Sequence, residues 1–272
     1  MDLQGKTILV TGATDGIGMQ TALDLAQMGA SVIVHGRDSS RGASAVEMIR
    51  RETGRDSVTF ERTDFASLRQ VRALAEAVRA KYPRLDVLIN NAGVSTQSRQ
   101  VTEDGYELTF QVNHLAHFLL TNLLLDFLKS SAPSRIVNVS SQVHRSGQID
   151  FDDLQLKNHF DGYAAYRQSK LCNVMFSNEL AARLKGTGVT SNSLHPGVIA
   201  TKLLHGNFPG ITGDDLERGA ETSVWLASSP DFAGVTGEYF ENHQVYRYSP
   251  LADDPALRAW LWQVSEKLCG LA

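Results

Sequence analysis

The sequence predicts an α/β fold: one domain, doubly wound on a parallel sheet of about seven strands, with helices on both faces. Three observations predict it. Short apolar, β-branched runs alternate with longer segments of helical periodicity along all 272 residues. A glycine-rich turn joins the first such run to the first helical segment. No Pro/Gly/Ser-rich linker and no internal repeat divides the chain, so 1–272 reads as a single domain.

The strand candidates are Thr7–Thr11, Ser31–His35, Val58–Arg62, Val87–Asn90, Arg135–Val139, Val189–Leu194 and a last one near Glu238–Phe240. Each is short and rich in Val, Ile or Thr, which suits a strand buried between helical layers. Helical periodicity runs over Gly18–Met28, Arg41–Glu52, Leu68–Lys81, Gly105–Leu128, Tyr166–Leu184, Asp214–Leu226 and the amphipathic tail Leu257–Leu268. Alternation at this spacing implies right-handed βαβ units. Two stretches have no regular pattern, His144–Gly162 and Val198–Gly213. Loops this long in a compact domain usually carry function, and these two are the expected substrate loops.

Bulk properties exclude several roles. A net charge of −4 leaves no electrostatic footprint for nucleic acid or an anionic membrane. Cys172 and Cys269 offer no metal spacing, and so few thiols fit a reducing compartment. The N-terminus runs straight into a strand-like segment without the pattern of a signal peptide, and no apolar run reaches the roughly 18 residues that cross a bilayer. A cytoplasmic protein is expected.

T-G-A-T-D-G-I-G, Thr11 to Gly18, follows the first strand and opens the first helix. Glycines at 12, 16 and 18 let backbone amides approach a pyrophosphate, and the helix N-terminus adds partial positive charge. The plain alternative is a tight turn; strand, turn and helix in this order favour nucleotide binding on a Rossmann-type fold. Candidate contacts in the turn are Gly12, Thr14, Asp15, Gly16, Ile17 and Gly18.

The spacing is G-x-x-x-G-x-G, and with it the chain resembles the short-chain dehydrogenase/reductase family. Besides the turn there are N-N-A-G at Asn90–Gly93, Q-V-N-H around Asn113, V-N-V-S-S ending the fifth strand, Y-R-Q-S-K at Tyr166–Lys170, and H-P-G at His195–Gly197. Six motifs in the family's order cover nearly the whole chain. N-H-L-A-H-F, S-K-L-C-N-V and G-E-Y-F are most similar to the retinol-dehydrogenase-like branch.

The reaction this resemblance implies is hydride transfer between a nicotinamide and a carbonyl or alcohol carbon. Tyr166 is the expected general acid and base; its ordinary pKa of about 10 makes it a poor base at neutral pH. Lys170 lies one helical turn along the same face and is expected to favour the phenolate. Tyr163 has no lysine at that spacing and reads as a substrate-loop or packing residue. By resemblance Ser141 stabilises charge on the substrate oxygen, with Ser140 structural, and Asn113 is a relay that holds a water near Lys170. His114 and His117 read as packing or surface residues, because no third metal ligand has suitable spacing.

Resemblance also implies the cofactor contacts. Asn90 braces the sheet, Asn91, Ala92 and Gly93 pass beneath the nucleotide, and Asp64 with Phe65 borders the adenine. Pro196, Gly197, Ile199 and Thr201 hold the carboxamide and phosphates, and Tyr166 and Lys170 reach the nicotinamide ribose. The second strand ends H-G-R-D. Gly36 stands where an NAD-preferring member carries a carboxylate, and the Arg37 guanidinium suits a 2′-phosphate. NADP(H) is therefore expected over NAD(H), with Asp15 as an opposing charge nearby.

Phe151, Leu154, Leu156, Phe160, Leu203, Leu204 and Phe208 make the substrate loops apolar, which suits a small-molecule carbonyl or alcohol that is lipophilic or aromatic. Retinoids, steroids and xenobiotic carbonyls all remain open at this point. So do two other functions: reduction of a carbon–carbon double bond, which Cys172 keeps in play, and nucleotide sensing without turnover. The intact set of Asn113, Ser141, Tyr166 and Lys170 favours an enzyme. Monomer and homodimer are both open, since family members often pair through the helices expected at Gly105–Leu128 and Tyr166–Leu184, and the stretch before Tyr166 could block that packing.

Overall fold

The structure is a computed structural model that describes residues 1–207 and 210–272. Phe208, expected in the substrate region, lies outside the described residues. Its strands are β1 Thr7–Val10, β2 Ser31–Gly36, β3 Val58–Arg62, β4 Val87–Asn90, β5 Ser134–Val139, β6 Val189–His195, β7 Tyr239–Glu241 and β8 Gln244–Val245. Its α-helices are α1 Gly16–Gln27, α2 Ser39–Thr53, α3 Leu68–Lys81, α4 Leu108–Phe110, α5 Ala116–Ser130, α6 Gly162–Arg183, α7 Lys202–Asn207, α8 Leu216–Ser228 and α9 Pro255–Leu268. One π-helical segment, Gln111–Leu115, joins α4 to α5.

The sheet order is β3-β2-β1-β4-β5-β6-β7-β8, with every neighbouring pair parallel except β7 and β8. Chain order reverses between β1 and β4, and such a switch point opens a crevice at the carboxyl ends of the strands. Side chains alternate between two cores. Leu9, Ile33, Leu88 and Ile136 face the layer of α3, α5, α6 and α9. Ile8, Val10, Val32 and Val34 face α1, α2 and α8. This double burial is why the strands read as continuous apolar runs.

Aspartates set several helix starts. Asp38 accepts from the Arg41 N–H and starts α2 ahead of the expected Arg41. Asp161 accepts from the Ala164 N–H and starts α6 at Gly162, which brings Tyr163 onto the helix. The eighth strand was not expected. Its hairpin turns through Asn242 and His243, both at positive φ, without the usual glycine, and β8 is only two exposed residues long.

The amphipathic tail forms α9 and lies across α5 and α6. Trp262 meets Phe118 edge-on at 4.9 Å and stacks on Phe176 at 5.9 Å. The stretch before Tyr166 packs outward from there, with Phe151 against Trp260 at 4.8 Å. Among the described residues no helix is long and apolar enough to cross a membrane.

Candidate active site

A cavity of about 740 Å³ opens at the switch point and spans Arg37 and Asp64, near the ends of β2 and β3, to Ser141, Tyr166 and Lys170. Most of the expected contacts line it: the glycine turn, Phe65, Asn91 to Gly93, Pro196, Gly197, Ile199 and Thr201.

Thr11 clamps the glycine turn to the segment Asn91–Gly93. Its Oγ1 accepts from the Asn91 N–H at 2.8 Å and the Ala92 N–H at 3.0 Å, while Asn91 Nδ2 donates to the Thr11 carbonyl at 2.7 Å. Gly12 sits at φ +66°, and a Cβ there would lie 2.8 Å from the Ala92 Cα. Only glycine lets the two segments meet this closely. Asn90, as expected, braces the sheet by donating to Thr121 and Asn138. Asp64 is oriented at the cavity wall by the Ala66 N–H, which it accepts at 3.0 Å.

Two residues at the Arg37 end of the cavity, Asp15 and Gly36, differ from a simple reading. Asp15 caps α1 by accepting from the Gly16 N–H and forms an ion pair with Lys202 on α7. The hydrogen bond from Lys202 holds its carboxyl below the ordinary range despite partial burial. The negative charge expected to oppose a phosphate is therefore partnered. At Gly36 a Cβ would lie 2.5 Å from Thr14 Cγ2, so a carboxylate at this position requires the threonine side chain to swing away.

In the catalytic half, helical spacing puts Tyr166 and Lys170 on one face of α6. Both are buried, at 8% and 4% exposure. Burial pushes the Tyr166 phenol up to about 12, opposed by a hydrogen bond with Ser141. Burial draws the Lys170 ammonium down to about 8. Lys170 donates to the Val139 carbonyl at 3.1 Å, and its Nζ lies 5.6 Å from the centre of the Tyr166 ring. Ser141 thus adds a pull toward phenolate that the spacing of Tyr166 and Lys170 did not show. Ser140 is structural, as expected: its hydroxyl donates to the Lys170 carbonyl at 2.7 Å.

Asn113 is fully buried in the π-helical segment. Its Oδ1 accepts from the Val94 N–H and its Nδ2 donates to the Val94 carbonyl and to Ser169. Its side chain and the Lys170 ammonium flank Gly93, where a Cβ would lie 3.6 Å from each. A mid-helix asparagine at ordinary α spacing gives no hint of this extra-wide turn.

The apolar end of the cavity corrects the substrate-loop expectation. Leu203 and Leu204 on α7 line it, joined by Val94, Leu108, Val112, Val143, Tyr163 and Ile211. Phe151, Leu154, Leu156 and Phe160 do not. Leu154 is buried in the core beside α9, and the segment is folded back on itself by Asp150 and Asp153, which accept from the N–H groups of residues 152, 153, 157 and 158. Cys172 is fully buried in that same core and does not line the cavity, so the double-bond reading loses the thiol that supported it. His195 does line it, and its Nδ1 is buried without a hydrogen-bond partner among the described residues. Among the described residues no group of His, Cys, Asp and Glu is placed to hold a metal ion.

Comparison with known proteins identifies the family. Residues 6–210 match the family described as short chain dehydrogenase. Retinol dehydrogenase 14 from Homo sapiens is 44% identical, covering 99% of this chain and 88% of its own. Retinol dehydrogenase 13 from Homo sapiens is 45% identical, covering 99% and 86%. The crystal structure of an uncharacterized protein from Mycobacterium Paratuberculosis superposes with a TM-score of 0.83 at 32% identity, over 99% of this chain and 95% of that one. A short chain dehydrogenase from Escherichia coli CFT073, complexed with NADPH, gives 0.75 at 28% identity, over 89% and 98%. The chain belongs to the short chain dehydrogenase family, in its retinol-dehydrogenase-like branch.

Proposed function

We propose that the chain transfers hydride between NADP(H) and the carbonyl or alcohol carbon of a lipophilic or aromatic small molecule, with Tyr166 moving the proton. The observation that carries this reading is the meeting of Ser141, Tyr166 and Lys170 in the same cavity as the glycine turn. The fit to a dinucleotide rests on the close approach at Gly12 and on the length of the cavity from Arg37 to Lys170. When bound, the nicotinamide supplies or accepts the hydride. The chain's own residues do the rest. A Tyr166 phenol held neutral up to about 12 is a proton donor at pH 7. Ser141 stands beside it to share the substrate oxygen. Lys170, with its ammonium near 8, returns the proton, and Asn113 across Gly93 links it to the relay.

The apolar wall supports a lipophilic substrate, and similarity to proteins named retinol dehydrogenase is the reason to include retinoid-like aldehydes and alcohols in a screen. A panel of aliphatic, aromatic and retinoid carbonyls with NADPH, followed by loss of nicotinamide absorbance, is expected to show turnover with apolar members and none with small charged ones. No turnover across the panel, in either direction, contradicts the reading.

Preference for NADP(H) rests on Arg37, which is exposed at the cavity edge. A guanidinium–phosphate hydrogen bond contributes on the order of 1.5–3 kcal/mol, roughly ten- to a hundredfold in affinity. Arg37→Ala is expected to weaken NADPH by roughly that factor while leaving NADH within about twofold, as a 2′-phosphate contact requires. Titration of both cofactors at fixed ionic strength checks this. An equal loss for the two contradicts a 2′-phosphate contact. Gly36→Asp is a poor companion test, since Thr14 obstructs it.

A further inference from the structure

We propose that His117 is a positioning residue: it ties the backbone carbonyl of Asn113 to Thr11, and so holds the catalytic π-helical segment in register with the nucleotide clamp. The proposal rests on the dehydrogenase reading above. His117 is 2% exposed and touches both halves of the site from behind. Its Nδ1 lies 2.9 Å from the Asn113 carbonyl oxygen. A carbonyl only accepts, so Nδ1 carries the proton and Nε2 is bare. That Nε2 lies 3.0 Å from Thr11 Oγ1, and it must accept the threonine hydroxyl hydrogen. The Ile89 carbonyl, 3.2 Å from the same hydroxyl, is a competing acceptor, but a hydroxyl turned toward it would set a lone pair against bare Nε2.

The consequence is a fixed direction for every bond around Thr11. With its hydrogen aimed at His117, Oγ1 presents its lone pairs to the Asn91 and Ala92 N–H groups. One imidazole therefore sets the orientation of the clamp and binds one backbone carbonyl of the π-helical segment.

The arrangement is repeated next door. Phe65 meets His117 edge-on at 5.3 Å and stacks on His35 at 4.3 Å. His35 Nε2 lies 3.1 Å from the Thr63 carbonyl, which fixes its proton there, and its Nδ1 accepts from the Gly12 N–H at 3.2 Å. Two histidines of fixed tautomer thus bracket the first residues of the glycine turn. The charges felt at His117 are those of Lys170 and His35, and burial holds its ring neutral, down to about 3.

His117→Leu removes both bonds, and His117→Gln keeps an N–H donor and an oxygen acceptor at similar reach. The leucine variant is expected to lose on the order of thirtyfold in kcat and NADPH affinity combined, about what the loss of two hydrogen bonds allows. The glutamine variant is expected to recover to within about threefold on both. If both variants lose only thermal stability, with wild-type NADPH affinity and kcat in the folded protein, His117 is structural and the proposal falls. Should the leucine variant fail to fold, ¹⁵N NMR of wild-type protein decides. The proposal requires the Nδ1–H tautomer from pH 5 to 9 and a shift of His117 resonances on adding NADPH; the opposite tautomer, or no response, overturns it. Wild-type protein that turns over no carbonyl would defeat the dehydrogenase reading, while the tautomer still judges His117 separately.

Discussion

Tyr166→Phe is expected to abolish turnover while leaving NADPH affinity within about twofold of wild type, because a positioned proton donor contributes roughly 10²–10⁴-fold. The substitution removes one oxygen from a ring that is otherwise packed in place, 8% exposed on α6. Ser141 bonds to the phenol and shares its environment, but an unperturbed serine hydroxyl is a far weaker acid. Tyr163 is one turn away and lines the same cavity, half exposed with the Arg167 guanidinium 4.7 Å from its ring centre. Tyr163→Phe is accordingly expected to change kcat by less than about threefold, an effect on contact and not on proton transfer. Steady-state kinetics on an active carbonyl, with NADPH titration of each variant, separates the two. A Tyr166→Phe protein with wild-type kcat, or a Tyr163→Phe protein that is dead, reverses the assignment.

Lys170→Met is expected to do two opposite things. Turnover falls by on the order of 10²-fold or more, as for loss of an electrostatic and proton-returning group in a buried site. Stability of the protein without cofactor rises. The ordinary lysine value is 10.5 and burial lowers it to about 8, which corresponds to roughly 3 kcal/mol against the buried ammonium. The unfolded chain keeps its proton up to 10.5 and the folded chain loses it near 8. Between those values the unfolded state binds more protons, so wild-type stability climbs as pH rises through the window. Below pH 8 the full penalty is present. Methionine removes the charge and keeps the stem, at the cost of about 1 kcal/mol for the lost bond to the Val139 carbonyl. The net gain at pH 7 is on the order of 2 kcal/mol, a few degrees in Tm; it falls to zero between about pH 9 and 10.5, and above 10.5 the variant is the less stable by about 1 kcal/mol, the lost bond alone. Thermal unfolding of both proteins at pH 7 and pH 10 checks the sign. A variant less stable than wild type at pH 7 contradicts a strained ammonium.

How much of this was legible in the residues differs between strands, loops and site. β1 and β4 were legible because each is buried on both faces and reads as a short, nearly unbroken apolar run, and the half-buried edge strand β3 was legible from its Val58-Thr59-Phe60 start; β3 and β4 have the expected bounds. The hairpin to β8 was not, since its turn is built from Asn242 and His243 without glycine. Tyr166, Lys170 and Ser141 were legible because chemistry fixes their types and helix geometry fixes their spacing. The pocket wall was not. Phe151 and Leu154 are as apolar as Leu203 and Leu204, and only tertiary packing against α9 tells the two loops apart. The partners of Asp15 and His117 were not legible for a related reason. Those partners, Lys202 and Thr11, are far away in the chain, and local pattern carries no trace of such pairs.

The most direct test of hydride transfer uses NADPH carrying deuterium at C4 of the nicotinamide, in each of the two stereospecific forms. The protein is incubated with a carbonyl compound that it consumes, and the product is analysed by mass spectrometry and NMR. The predicted result is one deuterium on the carbinol carbon from one labelled form and none from the other, with Tyr166→Phe giving no product. Deuterium on a former alkene carbon, or NADPH bound without any transfer of label, would contradict it.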